Sequence, residues 1–393
     1  MRAPHSSVFR ALRWCLALAL PACTDPYMPD VVKSPPSYLV VDGFLNSKGV
    51  TTIKLSRTFA VDSKAAPPTE NRATAYIEEE GGPRYLLREA PAGTYTSASL
   101  VLNPAKRHRL HLNTFAGKQY ASDYVPVKTT PPIDAVSWRL NNAGLDITVD
   151  ARDATNATQY YRWETDETWE IIPPYFPSVE YVNGAIRNIQ VPFPRICWGN
   201  AKSTNVLLYK TTSLAQDVVS DFRVRQLIPP TPLLYSRYSI LVQQFALTKE
   251  EYAYWELLRK NTESIGSLFD PQPSQLTGNV RCLSNSADLA LGFVGAHSRT
   301  EKRILISRTE LPRSWPVSDG YEDCVPPDTV FLNRPLPPPP PAQTLEINFN
   351  RFTGRLPINA VFERGSLAGY TAKKRECIDC RVRGTSVKPS YWP

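Results

Sequence analysis

Thr51-Thr52-Ile53-Lys54-Leu55-Ser56 sets apolar Ile53 and Leu55 two residues apart, with polar residues between and around them. Successive side chains of an extended strand point to opposite faces, so this period of two reads as a half-buried β-strand. Similar short runs lie on both sides, at residues 38–41, 74–78, 85–87, 94–97, 109–113 and 124–127. Asp42-Gly43, Gly81-Gly82-Pro83 and Ala92-Gly93 punctuate them as turns. Strands at this spacing predict an immunoglobulin-like β-sandwich over residues 37–130.

Thr130-Pro131-Pro132 marks a domain boundary, because consecutive prolines break pairing and enforce an extended joint. Residues 131–308 read as a second, fibronectin-like sandwich, with strands at 136–140, 145–151, 206–211, 222–228, 238–245, 289–294 and 302–307. Tyr160-Tyr161-Arg162-Trp163-Glu164-Thr165 is its aromatic central strand; the alternative is an aromatic binding platform. A proline-rich loop insertion covers 171–200. One helix is expected over 248–265. Thr248 and Glu251 form a capping box, Leu247 and Tyr252 a hydrophobic staple, and Gly266 a terminator. Residues 309–393 read as an irregular region stapled by disulfides, with Pro337 to Pro341 as a stiff polyproline spacer. The fold class is therefore mainly β: two immunoglobulin/fibronectin-like sandwiches, one inserted helix and a Pro-rich C-terminal region.

Composition agrees with this reading. The chain has 37 prolines among 393 residues, and proline suits edges, turns and extended connections. The formal charge is +8, but the basic residues are mostly interspersed with acids, with no basic stripe and no reader motif. Nucleic acid is not an expected partner.

Residues 1–22 read as a signal peptide, with Arg10 and Arg13 ahead of the apolar run Trp14-Cys15-Leu16-Ala17-Leu18-Ala19-Leu20. Leu20-Pro21-Ala22-Cys23 resembles the lipobox of bacterial lipoproteins, although the apolar run is short and Pro21 is unusual there. The chemistry needs Cys23 because its thiolate is the nucleophile that receives the diacylglyceryl group. The alternative is an ordinary signal peptide, with Cys23 structural. Residues 23–36 form a polar, proline-rich tether between anchor and body.

Beyond Cys23 there remain Cys197, Cys282, Cys324, Cys377 and Cys380. An exported protein is expected to carry one or two bridges, and the odd count leaves one thiol over. Cys377-Ile378-Asp379-Cys380 has no second C-x-x-C and no nearby histidine, so it reads as a staple for the tail rather than a zinc or redox site. Cys324 is an attractive partner for one of its members.

Catalytic patterns are lacking. His108 and His111, three apart on a strand, fall on opposite faces, and His297 stands alone. Asp166 and Glu167 read as strand-end charges. No nucleophile elbow, zinc helix or P-loop occurs, so no catalytic residue, metal or cofactor is assigned.

Several blocks carry a family resemblance: Leu39-Val40-Val41-Asp42-Gly43, Lys54-Leu55-Ser56-Arg57-Thr58, Pro131-Pro132-Ile133-Asp134 and Cys197-Trp198. Further on come Tyr238-Ser239-Ile240-Leu241-Val242-Gln243-Gln244-Phe245-Ala246-Leu247 and Gly266-Ser267-Leu268-Phe269-Asp270-Pro271-Gln272-Pro273-Ser274. Cys377-Ile378-Asp379-Cys380-Arg381 and Lys388-Pro389-Ser390-Tyr391-Trp392 close the series. With these the chain resembles the Bacteroidota outer-membrane lipoproteins known as domain of unknown function 4249. The resemblance implies a lipid-anchored outer-membrane protein, on either the periplasmic or the surface face, often encoded beside TonB-dependent transporters. Cys282 departs from the family pattern and is the candidate unpaired thiol, leaving Cys197, Cys324, Cys377 and Cys380 for the bridges.

The expected function is a non-enzymatic accessory or substrate-binding subunit of a TonB-dependent barrel. The contacts would come from loops 171–200 and 266–278 and from the C-terminal tail, with Phe269, Asp270 and Gln272 as candidate contact residues. The same residues would also serve a rigid turn. The runner-up is a free-standing glycan- or peptide-binding or adhesion module of the cell envelope, and the third possibility is a hydrolase.

Overall fold

The computed structural model describes residues 37–59, 65–263, 276 and 278–393. Cys23, the expected signal peptide and tether, Gly266, and the candidate contact residues Phe269, Asp270 and Gln272 lie outside the described residues.

The first part of the chain supplies β1 (Leu39–Asn46), β2 (Lys48–Arg57), β3 (Thr74–Glu79), β4 (Arg84–Glu89), β5 (Thr94–Val101), β6 (Arg107–Asn113), β7 (Gln119–Ser122) and β8 (Val125–Lys128). The middle supplies β9 (Ile133–Asn141), β10 (Gly144–Asp153), β11 (Tyr160–Ile171), β12 (Val179–Val182), β13 (Ala185–Asn188), β14 (Cys197–Lys202), β15 (Leu207–Lys210), β16 (Asp217–Leu227) and β17 (Arg237–Ala246). Helix α1 (Lys249–Glu263) precedes β18 (Val280–Cys282), β19 (Ala290–Leu291), β20 (Ala296–His297) and β21 (Arg299–Ser307). The chain ends with β22 (Asp328–Phe331), α2 (Pro341–Phe349), β23 (Arg355–Glu363) and β24 (Ser366–Lys374). The protein is mainly β.

In β2 the alternation holds: Ile53 and Leu55 are buried, Thr52 and Lys54 exposed. The sandwich expected over 37–130 is replaced by a closed ring. Neighbours run β6–β3–β4–β5–β2–β1, then through β20 to β8, and β8 pairs back onto β6. The closing links are parallel and come from Ala296 and His297, far along the chain. An antiparallel run left open would expose two edges, and this late segment seals them. Asp42-Gly43 is not a turn but the middle of β1. Gly43 has φ +136°, and a Cβ there would meet Thr52 O at 2.4 Å, so the close strand approach requires glycine.

His108 and His111 do point to opposite sides of β6. His108 sits in the interior with its Nε2 3.4 Å from Glu79, while His111 stacks on Tyr76. Burial lowers the pKa of both imidazoles, and the nearby glutamates offset this only in part.

The second unit sets β16–β10–β9 against β14/β15–β11–β17–β21. Leu145, Ile147 and Val149 from one sheet meet Tyr161, Trp163, Ile240 and Val242 from the other in one core. Tyr161 and Trp163 are fully buried, so the aromatic strand is core. Glu167 is not a strand-end charge. It lies buried within β11, accepting from the Tyr238 hydroxyl at 2.9 Å and facing Arg225 Nε at 2.9 Å.

Between β17 and β21 the chain leaves this unit, forms α1, adds β18, β19 and β20 to the first unit, and returns. The joint is clasped rather than merely extended. Thr130 donates to the Ser298 carbonyl and accepts from Ala246 N at 3.0 Å. Pro131 O accepts from Gln244 Nε2 and from the Thr300 hydroxyl, each at 2.9 Å. The opposite end of Gln244 accepts from Trp163 Nε1 at 2.9 Å.

At α1, Thr248 caps as expected, accepting from Glu251 N at 3.1 Å. Glu251 turns inward instead of completing the box. Its carboxylate lies 3.3 Å from His297 Nε2, and His297 stacks on Phe44. His297 is therefore not alone but packed between the two units. Leu247 and Tyr252 share a cluster with Phe245 and Leu208.

The region 309–393 is not irregular. β22, β24 and β23 form an antiparallel sheet, and a second helix, α2, grows out of the polyproline run with Pro341 in its first turn, where the missing N–H costs nothing. Leu345 and Phe349, four apart on one helical face, pack with Val330 and Tyr370. Hairpin β12–β13, from the insertion expected to be irregular, joins the same cluster through Val179, Tyr181 and Ile186. Bridge Cys197–Cys380 ties this third body to β14 beside the end of β11, bridge Cys324–Cys377 staples the body's own segments, and Cys282 is unpaired and buried. Beyond them the tail crosses the outer face of the larger sheet. Tyr391 meets Thr168 and the Arg303 guanidinium, and Trp392 Nε1 donates to Glu170 at 2.9 Å.

Three outcomes follow from this packing. Gln244→Leu is expected to cost about 2 kcal/mol by leaving the Trp163 indole without an acceptor; an unchanged urea midpoint would refute the clasp. The unfolded chain takes up histidine protons below about pH 6.5 that folded His108 and His111 resist. Stability is thus expected to drop as pH falls from there towards their lowered folded pKa values. A His108→Leu variant should show a shallower drop between pH values either side of that point, and an identical slope would remove His108 from the account. Replacing Cys197 and Cys380 together by serine is expected to cost about 2–5 kcal/mol. Limited proteolysis should then begin in the third body, and cleavage at the native rate would argue against the clamp.

Candidate binding surface

Loop 171–200 and the C-terminal tail, separately expected to make contacts, are brought together in the third body. Asn183 and Gly184 both have positive φ (51° and 85°), as a two-residue hairpin turn requires. That Asn-Gly pair was the available sequence signal for the hairpin β12–β13. The turn Arg364-Gly365 between β23 and β24 repeats the geometry, with φ of 50° and 81°.

A cleft of about 700 Å³ opens between the Asn183-Gly184 turn and the segment after α2. Phe349, Phe352 and Leu356 are among its apolar lining, and Arg351, Arg355 and Arg375 line it as well. Phe352 is 83% exposed, and the Arg351 guanidinium lies over its ring at 4.7 Å. On the outer side of α2, Ile347 is also largely exposed. Glu346 is the acid of this cleft and accepts from the Tyr181 hydroxyl, a bond that raises the phenol's pKa.

Positive charge here is under-compensated. Asp328 is shared by Arg355 and Lys373, at 3.1 and 3.4 Å. Asp379 is shared by Arg375 and Arg381, at 3.0 and 2.7 Å. Burial would raise the Asp379 pKa, but Arg381 and Arg375 outweigh it and hold the carboxyl below its ordinary value. Arg351 has no carboxylate within ion-pair distance among the described residues.

A second cleft, of about 650 Å³, lies at the joint between the first two units, lined by Lys128, Pro131, Pro132, Asp134, Arg152 and Asp153. Its central charges are committed. Lys128 Nζ donates to Ala157 O at 2.5 Å, and burial lowers its pKa against the pull of Asp153 and Asp217. Burial would raise Asp153 too, but donors from Thr155, Ala157 and Thr158 hold it at about 2. A smaller cleft, of about 440 Å³, includes Cys282 and Asp288. Among the described residues no group of three or more His, Cys, Asp or Glu could hold a metal ion, and no helix is long and apolar enough to cross a membrane.

Among solved structures, a chitinase, ChiA74 from Bacillus thuringiensis, is 10% identical, with a TM-score of 0.13 over 45% of this chain and 29% of the chitinase. The match thus spans under a third of that enzyme's length. No curated protein matches the chain. One family model matches residues 24–303, taking in the first two units and ending before the sheet of the third body. The chain belongs to that family, described as a domain of unknown function (DUF4249).

Proposed function

We propose that this protein is a non-enzymatic accessory or substrate-binding subunit of a TonB-dependent outer-membrane transporter, held at the outer membrane by a lipid on Cys23. The observation that carries this reading is the third body. Two segments far apart in sequence, one in the 171–200 insertion and one after residue 327, fold on each other, are clamped by two disulfides, and present a cleft with surplus arginines and an exposed phenylalanine. Arginine and aromatic side chains on a rigid support are the residues that anchor protein contacts. The two facing antiparallel sheets of the second unit, one of three strands and one of five, support the fibronectin-like reading of that scaffold.

The polar cleft at the joint favours a second reading, a free-standing glycan- or peptide-binding module. Ligand-dependent thermal stabilisation of the soluble form would support that alternative. The deciding experiment is a tagged pull-down from gently solubilised outer membranes, with mass spectrometry of what accompanies the chain. A Cys23→Ala form, expected to stay soluble, is the control. Recovery of a large barrel near one-to-one is the expected result. Emergence of the protein alone from membranes would sink the transporter reading.

A further inference from the structure

We infer that the third-body cleft is a docking site for an acidic, partly apolar peptide segment of a partner protein. This rests on the accessory-subunit reading and names the chemistry of the partner it requires. Charge complementarity selects such a segment. Between Asp328 and Arg375 there are seven basic residues against three acids, an excess of four. At the cleft itself, Arg351, Arg355 and Arg375 stand against Glu346, the one acid among the lining residues. Each of Asp328 and Asp379 neutralises one of the two cations it touches, and among the described residues Arg351 has no carboxylate within ion-pair distance.

Arg355 is held in place by Asp328 and by Asn348 Oδ1 at 3.4 Å, so its guanidinium is already oriented. Preorganised guanidinium forks suit carboxylates, which they engage by two parallel bonds. The apolar part follows from Phe352, largely exposed beside these arginines. Arg351 covers one face of its ring, and the rest of the ring stays open to an aliphatic side chain. A peptide alternating carboxylates and aliphatic groups fits both features, and the cleft has room for a few residues.

The test uses the purified full chain and a short fluorescent peptide of glutamate and leucine, beside its glutamine-for-glutamate counterpart. The glutamate peptide is expected to bind, to weaken with added salt, and to lose about tenfold in affinity with Arg351→Glu. Phe352→Ala should weaken it without changing the salt dependence. Unchanged thermal melting of both variants will show that the fold is intact; if either melts early, Arg351→Gln gives the same readout with less perturbation. Equal binding of the glutamine peptide, or indifference to Arg351→Glu, would overturn the assignment. So would binding of phosphatidylglycerol vesicles, lost in Arg351→Glu, where the glutamate peptide fails. A barrel recovered equally well by wild type and Arg351→Glu would remove this surface and leave the accessory role standing. Peptide binding without any barrel in the pull-down would do the reverse.

Discussion

Gln244 does two jobs with one amide: its oxygen accepts from the Trp163 indole in the core of the second unit, and its nitrogen donates to Pro131 O at the joint. Thr130, one residue earlier, ties the same joint to Ser298 and Ala246. The chain passes between the first two units three times: at residues 129–132, after β17, and again between β20 and β21. All three crossings meet at these buried hydrogen bonds. A proline pair alone would fix only the local direction of the chain. The clasp instead couples the direction of the joint to the packing of Trp163, so movement between the units would leave buried donors without acceptors, at about 1–3 kcal/mol each. The buried Glu251–His297 contact, between α1 and the strand that seals the ring, lies beside the same crossings.

What could be read from the sequence follows from how local the signal is. Ile53 and Leu55 alternate within one strand, Thr248 caps an amide three residues on, and Tyr161 and Trp163 announce a buried strand by themselves. The sealing of the ring had no such signal. β20 is two residues long, in a stretch without clear alternation, and its partners β1 and β8 lie more than 160 residues earlier. No periodicity spans that separation. Glu251 misled for a related reason: its spacing from Thr248 satisfies a capping box, and only the tertiary approach of His297 draws the carboxylate inward.

In the third body the signals were present but masked. Prolines around residues 326–341 and 173–194 argue against strands and helices, because each removes a donor. Here they sit outside the paired segments or, at Pro341, where a helix tolerates them. The Asn183-Gly184 and Arg364-Gly365 turns, each flanked by short extended runs, were the countervailing evidence. The pairing of the cysteines lay beyond local reading, since Cys197 and Cys380 are separated by 183 residues. Once paired, they explain the C-x-x-C: its two members bridge to different partners, and Asp379 between them anchors Arg375 and Arg381. The motif is a branch point for the tail.

The two larger clefts differ in a way that bears on which one binds. At the joint, the Lys128 ammonium already donates to a backbone carbonyl, and the Asp153 carboxylate receives the donors of its own loop. A ligand there would have to displace intramolecular bonds of similar quality, and the exchange would gain little. In the third body, Asp328 and Asp379 are each shared between two cations, and Arg351 rests against an exposed ring. The exposed Arg351 guanidinium can form a charge-assisted pair with an incoming carboxylate without giving up an existing ion pair among the described residues. The supporting structure is rigid by construction, with two disulfides and a small apolar core beneath it. Little ordering is then required when a partner arrives, and less of the contact energy is lost to it. Unsatisfied charge on a pre-ordered support is the combination that distinguishes a surface built to meet something from one built to hold itself together.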